Sequence, residues 1–128
     1  MRRLAGVTHV VLRVGAGLLF LQHGLSKVFG LLGGSAVPLA SMYGVAGLLE
    51  LVGGVLLVAG VLTRPVAAVL TVEMAVAYVI GHQMQHGGWP IQNDGEEALL
   101  YAIVFAFLAG HGAGPLSVDA RRAGYSRA

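Results

Sequence analysis

Four long apolar runs, separated by short breaks, decide most of what this chain can fold into. They cover about residues 8–29, 43–62, 65–82 and 96–110. A helix rises about 1.5 Å per residue, and about 20 mostly apolar residues cross a bilayer. Pro65 suits the first turn of a helix, where its missing N–H costs nothing. The stretch "GLLGGSAVPLASM" between the first two runs is broken by Gly and Pro. It is too short to cross and is expected at the interface, while "TR" (63–64) is expected as a tight hairpin. The predicted fold is all-α: a four-helix transmembrane bundle forming one domain over residues 1–128.

Charge supports a lipid solvent. Only 11% of the 128 residues are charged, against about 25% in a soluble domain. The absence of cysteine excludes disulfides, thiolate metal sites and thiol-exchange chemistry. A formal net charge of +2 gives no reason to expect nucleic acid, and the bilayer itself is the expected partner.

Four spans put both ends on one side. Arg2, Arg3, Arg64, Arg121, Arg122 and Arg127 fall on that side, and Lys27 stands alone opposite. The positive-inside rule then predicts a multi-pass cell-membrane protein with cytoplasmic N- and C-termini. The first run reads as a retained helix, because Arg13 interrupts it and no small-x-small cleavage site follows.

Ionisable side chains inside the spans are costly, at about 2.5–3.5 kcal/mol near the bilayer centre, and they usually face partners. Arg13, His23 and Lys27 fall within about 80° on the first helix. Depth counted along the helices predicts two groups. Arg13 and Glu73 form an inner, structural ion pair. His23 and Glu50 meet near the outer side, with Lys27 above them. Such pairs either fix helix register or line a cavity for a polar head group or a proton.

The second polar feature is the island 82–97, "HQMQHGGWPIQNDGEE". His82 and His86 are four residues apart and share a face if the helix persists. With Glu97 they are candidate metal ligands, but the pattern is not H-E-x-x-H and no metal site is assigned. Alternatively His82, Trp89 and Tyr101 form a mouth that stacks on a ring. Glu96 and Glu97 open the fourth helix, where carboxylates meet free backbone N–H groups. A solvated loop with an interfacial Trp89 anchor is the third reading. His82 and Glu73, nine residues apart, are expected on opposite faces of a straight helix. His9 and His111 read as unpaired interfacial histidines.

Taken in order, the segments "LRVGAGLLFLQHGLSKVFG", "ELVGGVLLVAGVLTRPVAAVLTVEMAVA" and "NDGEEALLYAIVFAFLAGHGAGPLSVDA" resemble the DoxX family. The family pattern of an early Arg and a Gly-x-x-Lys in the first helix is matched by Arg13, Gly24 and Lys27. Its Glu before Gly-Gly and its Gly-x-x-Thr-Arg turn are matched by Glu50, Gly53, Gly54, Gly60, Thr63 and Arg64. Met74, Ala77 and His82 match its Met–Ala stretch and following histidine. Gly95, Glu96 and Tyr101 match its Gly-Glu before Leu-Leu-Tyr, and Gly114, Pro115, Ser117 and Asp119 its closing motif. Glu73, His86 and Glu97 lie beyond that pattern.

The resemblance implies a four-helix integral membrane protein and, more loosely, membrane redox work, since the family name comes from a subunit of a thiosulfate:quinone oxidoreductase. The leading expectation is a membrane subunit that binds a quinone-like amphipathic molecule through His23, Lys27, Glu50, His82, Trp89, Glu96 and Tyr101. Electrons would come from redox partner proteins, because the chain has no haem, iron–sulfur or nucleotide motif. Two alternatives are a proton-coupled small-molecule transporter, working as a homo-oligomer, and a non-catalytic assembly subunit.

Overall fold

The computed structural model describes residues 2–125, all helix or irregular chain among them. Arg127, counted among the basic residues of one side, lies outside the described residues. Helix α1 spans Arg2–Phe29, α2 spans Met42–Ala59, and α3 begins at Thr63–Tyr78. The α3 rod continues through a π-helical turn, Val79–Gln83, into a last turn, Met84–His86. Helix α4 spans Glu96–His111 and α5 spans Val118–Tyr125. Among the described residues, three rods are long and apolar enough to cross a membrane: Arg2–Phe29, Met42–Ala59 and Thr63–His86. At 16 residues, α4 is about 24 Å long, less than a hydrocarbon core of about 30 Å. Aliphatic side chains such as Val11, Val52, Val72 and Ile103 stand exposed on the outer faces.

Helices α1 and α2 pack through glycines. A Cβ on Gly24 would run into the backbone of Leu51, and one on Gly54 would lie 2.9 Å from Leu21. This is the small-residue packing expected between membrane helices, where close backbone approach replaces the hydrophobic driving force. Phe20, Leu57, Leu70, Met74, Phe105 and Leu108 fill the centre. Phe20 meets Phe105 edge-on, with ring centroids 4.8 Å apart. The irregular segment 30–41 folds back on α1, where Val37 N–H donates to the Lys27 carbonyl at 2.9 Å.

The turn between α2 and α3 occupies residues 60–62, so Thr63 and Arg64 already belong to α3 and do not form the turn themselves. Gly60 ends α2 in the left-handed region at φ 67°. Asp119 caps α3 from the far end of the chain. Its Oδ1 and Oδ2 accept from the Leu62 and Thr63 N–H groups, both at 2.9 Å. Partial burial works against the Asp119 charge, but these two donors hold its carboxyl below the usual aspartate range.

Arg13 completes this end. It is 1% exposed and donates to the carbonyls of Ala113 and Leu116, each at 3.0 Å. The predicted Arg13–Glu73 pair therefore does not form. Helix α1 starts at Arg2, six residues before the assumed boundary, so its first turns project past the α2–α3 turn. Arg13 lies level with Gly60, while Glu73 sits ten residues, or about 15 Å, further along α3. His9 and His111 do not pair with each other: His9 Nε2 meets the Gly112 carbonyl at 2.9 Å and His111 Nδ1 meets the Phe107 carbonyl at 3.0 Å.

Candidate functional site

At the opposite end the helices surround a cavity of about 920 Å³. Its walls are mostly aliphatic, from Val45 and Leu49 on α2 and Val69, Val72 and Val76 on α3. Phe20 and Met74 contribute deeper surface. Into this apolar space project His23 and Lys27 from α1, Glu50 from α2, Glu73 and His82 from α3, and Glu97 and Tyr101 from α4.

Two cation–acid pairs link the helices, and Glu73 belongs to neither. Lys27 Nζ donates to Glu50 Oε1 at 2.5 Å, and Glu50 is only 2% exposed. His23 Nε2 sits 2.9 Å from Glu97 Oε1. The outer group thus divides differently from the expectation that His23 would meet Glu50. His23 and Lys27 are about 40° apart on α1, enough for Lys27 to reach α2 while His23 reaches α4. Tyr101 braces this corner, packing edge-on to His23 at 6.0 Å and stacked on Phe105 at 5.6 Å between centroids.

The π turn decides the fourth wall. Glu73 and His82 both line the cavity, against the expectation of opposite faces. Nine residues at 100° each leave two side chains about 180° apart, but a π turn absorbs one extra residue, about 100°, and narrows the separation to about 80°. His82 is then fixed by Asn93, whose backbone carbonyl lies 2.8 Å from His82 Nδ1. A carbonyl accepts only, so Nδ1 carries a proton in this contact.

Asn93, 2% exposed, organises the whole island. Its amide donates to Gln83 Oε1 at 3.2 Å and to the Gly87 carbonyl at 3.1 Å. Its Oδ1 accepts from Gly95 N–H at 3.0 Å, beside the start of α4. Backbone N–H groups at this start were expected to be met by Glu96 or Glu97, but Glu97 turns to His23 and Glu96 is exposed outside the cavity wall. Asn93 has no role in the reading from sequence. The Asn-Asp-Gly turn motif was the available signal.

Of the seven residues expected at a ligand site, His23, Lys27, Glu50, His82 and Tyr101 line the cavity. Trp89 and Glu96 do not: Trp89 is 75% exposed. Glu73, expected as half of a structural pair, joins the lining, with both carboxylate oxygens buried and unpartnered. His86 is exposed and stands outside the cavity wall. Among the described residues no group of three or more His, Asp or Glu side chains is placed to hold a metal ion.

The Lys27–Glu50 pair, the α1–α2 glycine contacts and the Thr-Arg start of α3 all fall within residues 8–83, and the DoxX family model matches that range. The chain belongs to the DoxX family. It is also 39% identical over 114 residues to an uncharacterized protein of Haemophilus influenzae, covering 84% of this chain and 85% of the relative. No solved structure matches. As a DoxX protein with long apolar helices, it is a small membrane protein. The cavity draws on the DoxX-matched helices for Lys27, Glu50, Glu73 and His82, and on α4 beyond the matched range for Glu97 and Tyr101.

Proposed function

We propose that this DoxX protein is a membrane subunit that holds a quinone-like amphipathic molecule in the cavity and serves a redox complex. In this reading residues 1–128 form one four-span bundle. Its arginine-rich end and both termini face the cytoplasm, following the positive-inside rule. The polar island and the cavity then face the outside.

The observation that carries the reading is a single cavity whose mostly aliphatic wall also carries ionisable side chains. Val45, Val69, Val72 and Val76 of α2 and α3 are exposed on the outer surface as well as in the wall. A ligand tail beside them would stay in contact with lipid. The same wall carries Lys27, Glu50, Glu73, His23 and His82. Pockets of about 300–1,000 Å³ with apolar walls and a few convergent polar groups are the usual form of small-molecule sites. The protein has no electron carrier of its own sequence type, so it binds and orients the molecule while a partner exchanges electrons with it.

The test is extraction in mild detergent followed by analysis of bound lipids, with thermal unfolding measured against added short-tailed quinones. Co-purified quinone and a stability rise with added ligand are expected. Protein that carries none, and whose unfolding no quinone shifts, would refute the reading. One observation favours a second reading, proton-coupled transport: Glu73 is a buried carboxylate without a protein partner in the cavity wall. That reading requires a gradient-dependent flux in vesicles that Glu50→Gln abolishes.

A further inference from the structure

Helices α1 and α2 form one close-packed pair, and α3 and α4 form another. The segment 30–41 joins α1 to α2, and the island joins α3 to α4, so both connections at the cavity end stay inside a pair. The turn at 60–62, at the arginine end, is the covalent link between the pairs. Polar ties follow the same division. At the arginine end His9 meets the Gly112 carbonyl, Arg13 donates to the Ala113 and Leu116 carbonyls, and Asp119 N–H donates to the Gly60 carbonyl at 2.9 Å. Midway, Phe20 packs on Phe105 and Tyr101, with ring centroids 4.8 and 5.2 Å away, and a Cβ on Gly53 would lie 2.9 Å from Leu70. Beyond Phe20 the pairs part around the cavity. Among the described residues, one polar contact spans them there, His23 Nε2 with Glu97 Oε1, braced by Tyr101 edge-on to the His23 ring.

We infer that the two pairs are the halves of a clamp that pivots at the arginine end, with His23–Glu97 as the latch that holds it closed at the cavity end. The device stands whether or not the occupant is quinone-like. Opening widens the gap beside Val45, Val69 and Val72, which line the cavity and face outward, so the cavity then exchanges with molecules dissolved in the membrane. The latch side chains are 42% and 65% exposed, so their contact is worth no more than about a fivefold shift in population. A tie that weak biases the pairs toward closure and lets thermal motion part them. His23 stands ten residues, or about 15 Å, along α1 from Arg13. A tilt of about 15° over that lever parts the latch groups by about 4 Å.

The chain has no cysteine, so spin labels attach only where cysteines are introduced. The full chain in nanodiscs carries them at exposed positions outside the cavity wall: Leu48 on α2 with Leu100 on α4 across the pairs, and Leu19 on α1 with Leu48 within one pair. Double electron–electron resonance reads the distances with the latch intact, in Glu97→Ala and in His23→Ala. With the latch intact, the across-pair labels should show a main distance and a minor one longer by about 4–5 Å. Either variant should raise the minor fraction about three- to fivefold and leave the Leu19–Leu48 distance unchanged. An across-pair distribution that neither variant alters overturns the inference. So does a Leu19–Leu48 distance that lengthens in both variants, because the contact would then hold the whole bundle. If one variant fails to fold, the other, on the opposite pair, decides. Failure of both to fold overturns the inference as well, since a latch is dispensable for folding.

Discussion

Lys27→Met isolates the buried carboxylate of Glu50. In the wild-type protein Glu50 is 2% exposed, and its one partner is the Lys27 ammonium at 2.5 Å. Its other oxygen already lacks a partner, so no neighbouring donor stands ready to replace Lys27. Removing one member of a fully buried ion pair typically destabilises by about 3–5 kcal/mol, because the remaining charge keeps its desolvation penalty without its attraction; the lower end applies here, since the Lys27 side chain is partly exposed. Replacing both members with apolar residues of similar size is often neutral or stabilising. The expected order of stability is therefore Lys27→Met well below wild type, with Lys27→Met/Glu50→Leu restored most of the way. Equilibrium unfolding in mixed micelles, followed by circular dichroism, measures all three variants, and Glu50→Leu closes the cycle. A coupling energy of at least about 2 kcal/mol is expected for two groups in direct contact. Additive single changes, or a double variant less stable than either single one, would show that the pair does not act as the geometry implies.

Three further outcomes follow from the other end and from the α1–α2 seam. Arg13→Ala should cost about 3 kcal/mol, from two charge-assisted hydrogen bonds to the Ala113 and Leu116 carbonyls, and should expose residues 112–117 to limited proteolysis. Gly24→Val should separate α1 from α2, because its Cβ meets the Leu51 backbone, which cannot rotate away; a cross-link between cysteines placed on the two helices should form less readily. Asp119→Ala should cost about 1 kcal/mol, the usual loss of a helix cap. Because Asp119 titrates below its ordinary value, its contribution is full above the unfolded value of about 3.9 and is lost as pH falls through the lower folded value. Asp119→Asn should remove that acid dependence, read as unfolding midpoint against pH between about 5 and 2.

The apolar runs, the Pro65 signal and the Gly-rich seam are local features, so the boundaries of α2 and α4 are legible from them to within three residues. Pairing is not local. Counting depth from Thr8 placed Arg13 beside Glu73, because nothing in the first seven residues marks how far α1 extends beyond the apolar run. Lys27 and Glu50 were rightly brought to one group by depth. Depth alone could not say that α1 would present Lys27 to α2 and His23 to α4. The π turn at Val79–Gln83 had the largest effect on the cavity, since one extra residue there rotates His82 onto the side of Glu73. An argument from 100° per residue cannot anticipate it. Asn93 was overlooked because its role depends on three backbone groups that come together only in the folded loop.

Arg13 and the carbonyls that receive it are separated by 100 and 103 residues in the chain. A ribosome adding roughly 5–20 residues per second makes those carbonyls about 5–20 s after Arg13 itself. During that interval the guanidinium has no protein acceptor, and water at the membrane surface must serve in its place. Seating of Arg13 against the 113–116 carbonyls is therefore completed only once the last part of the chain has been synthesised.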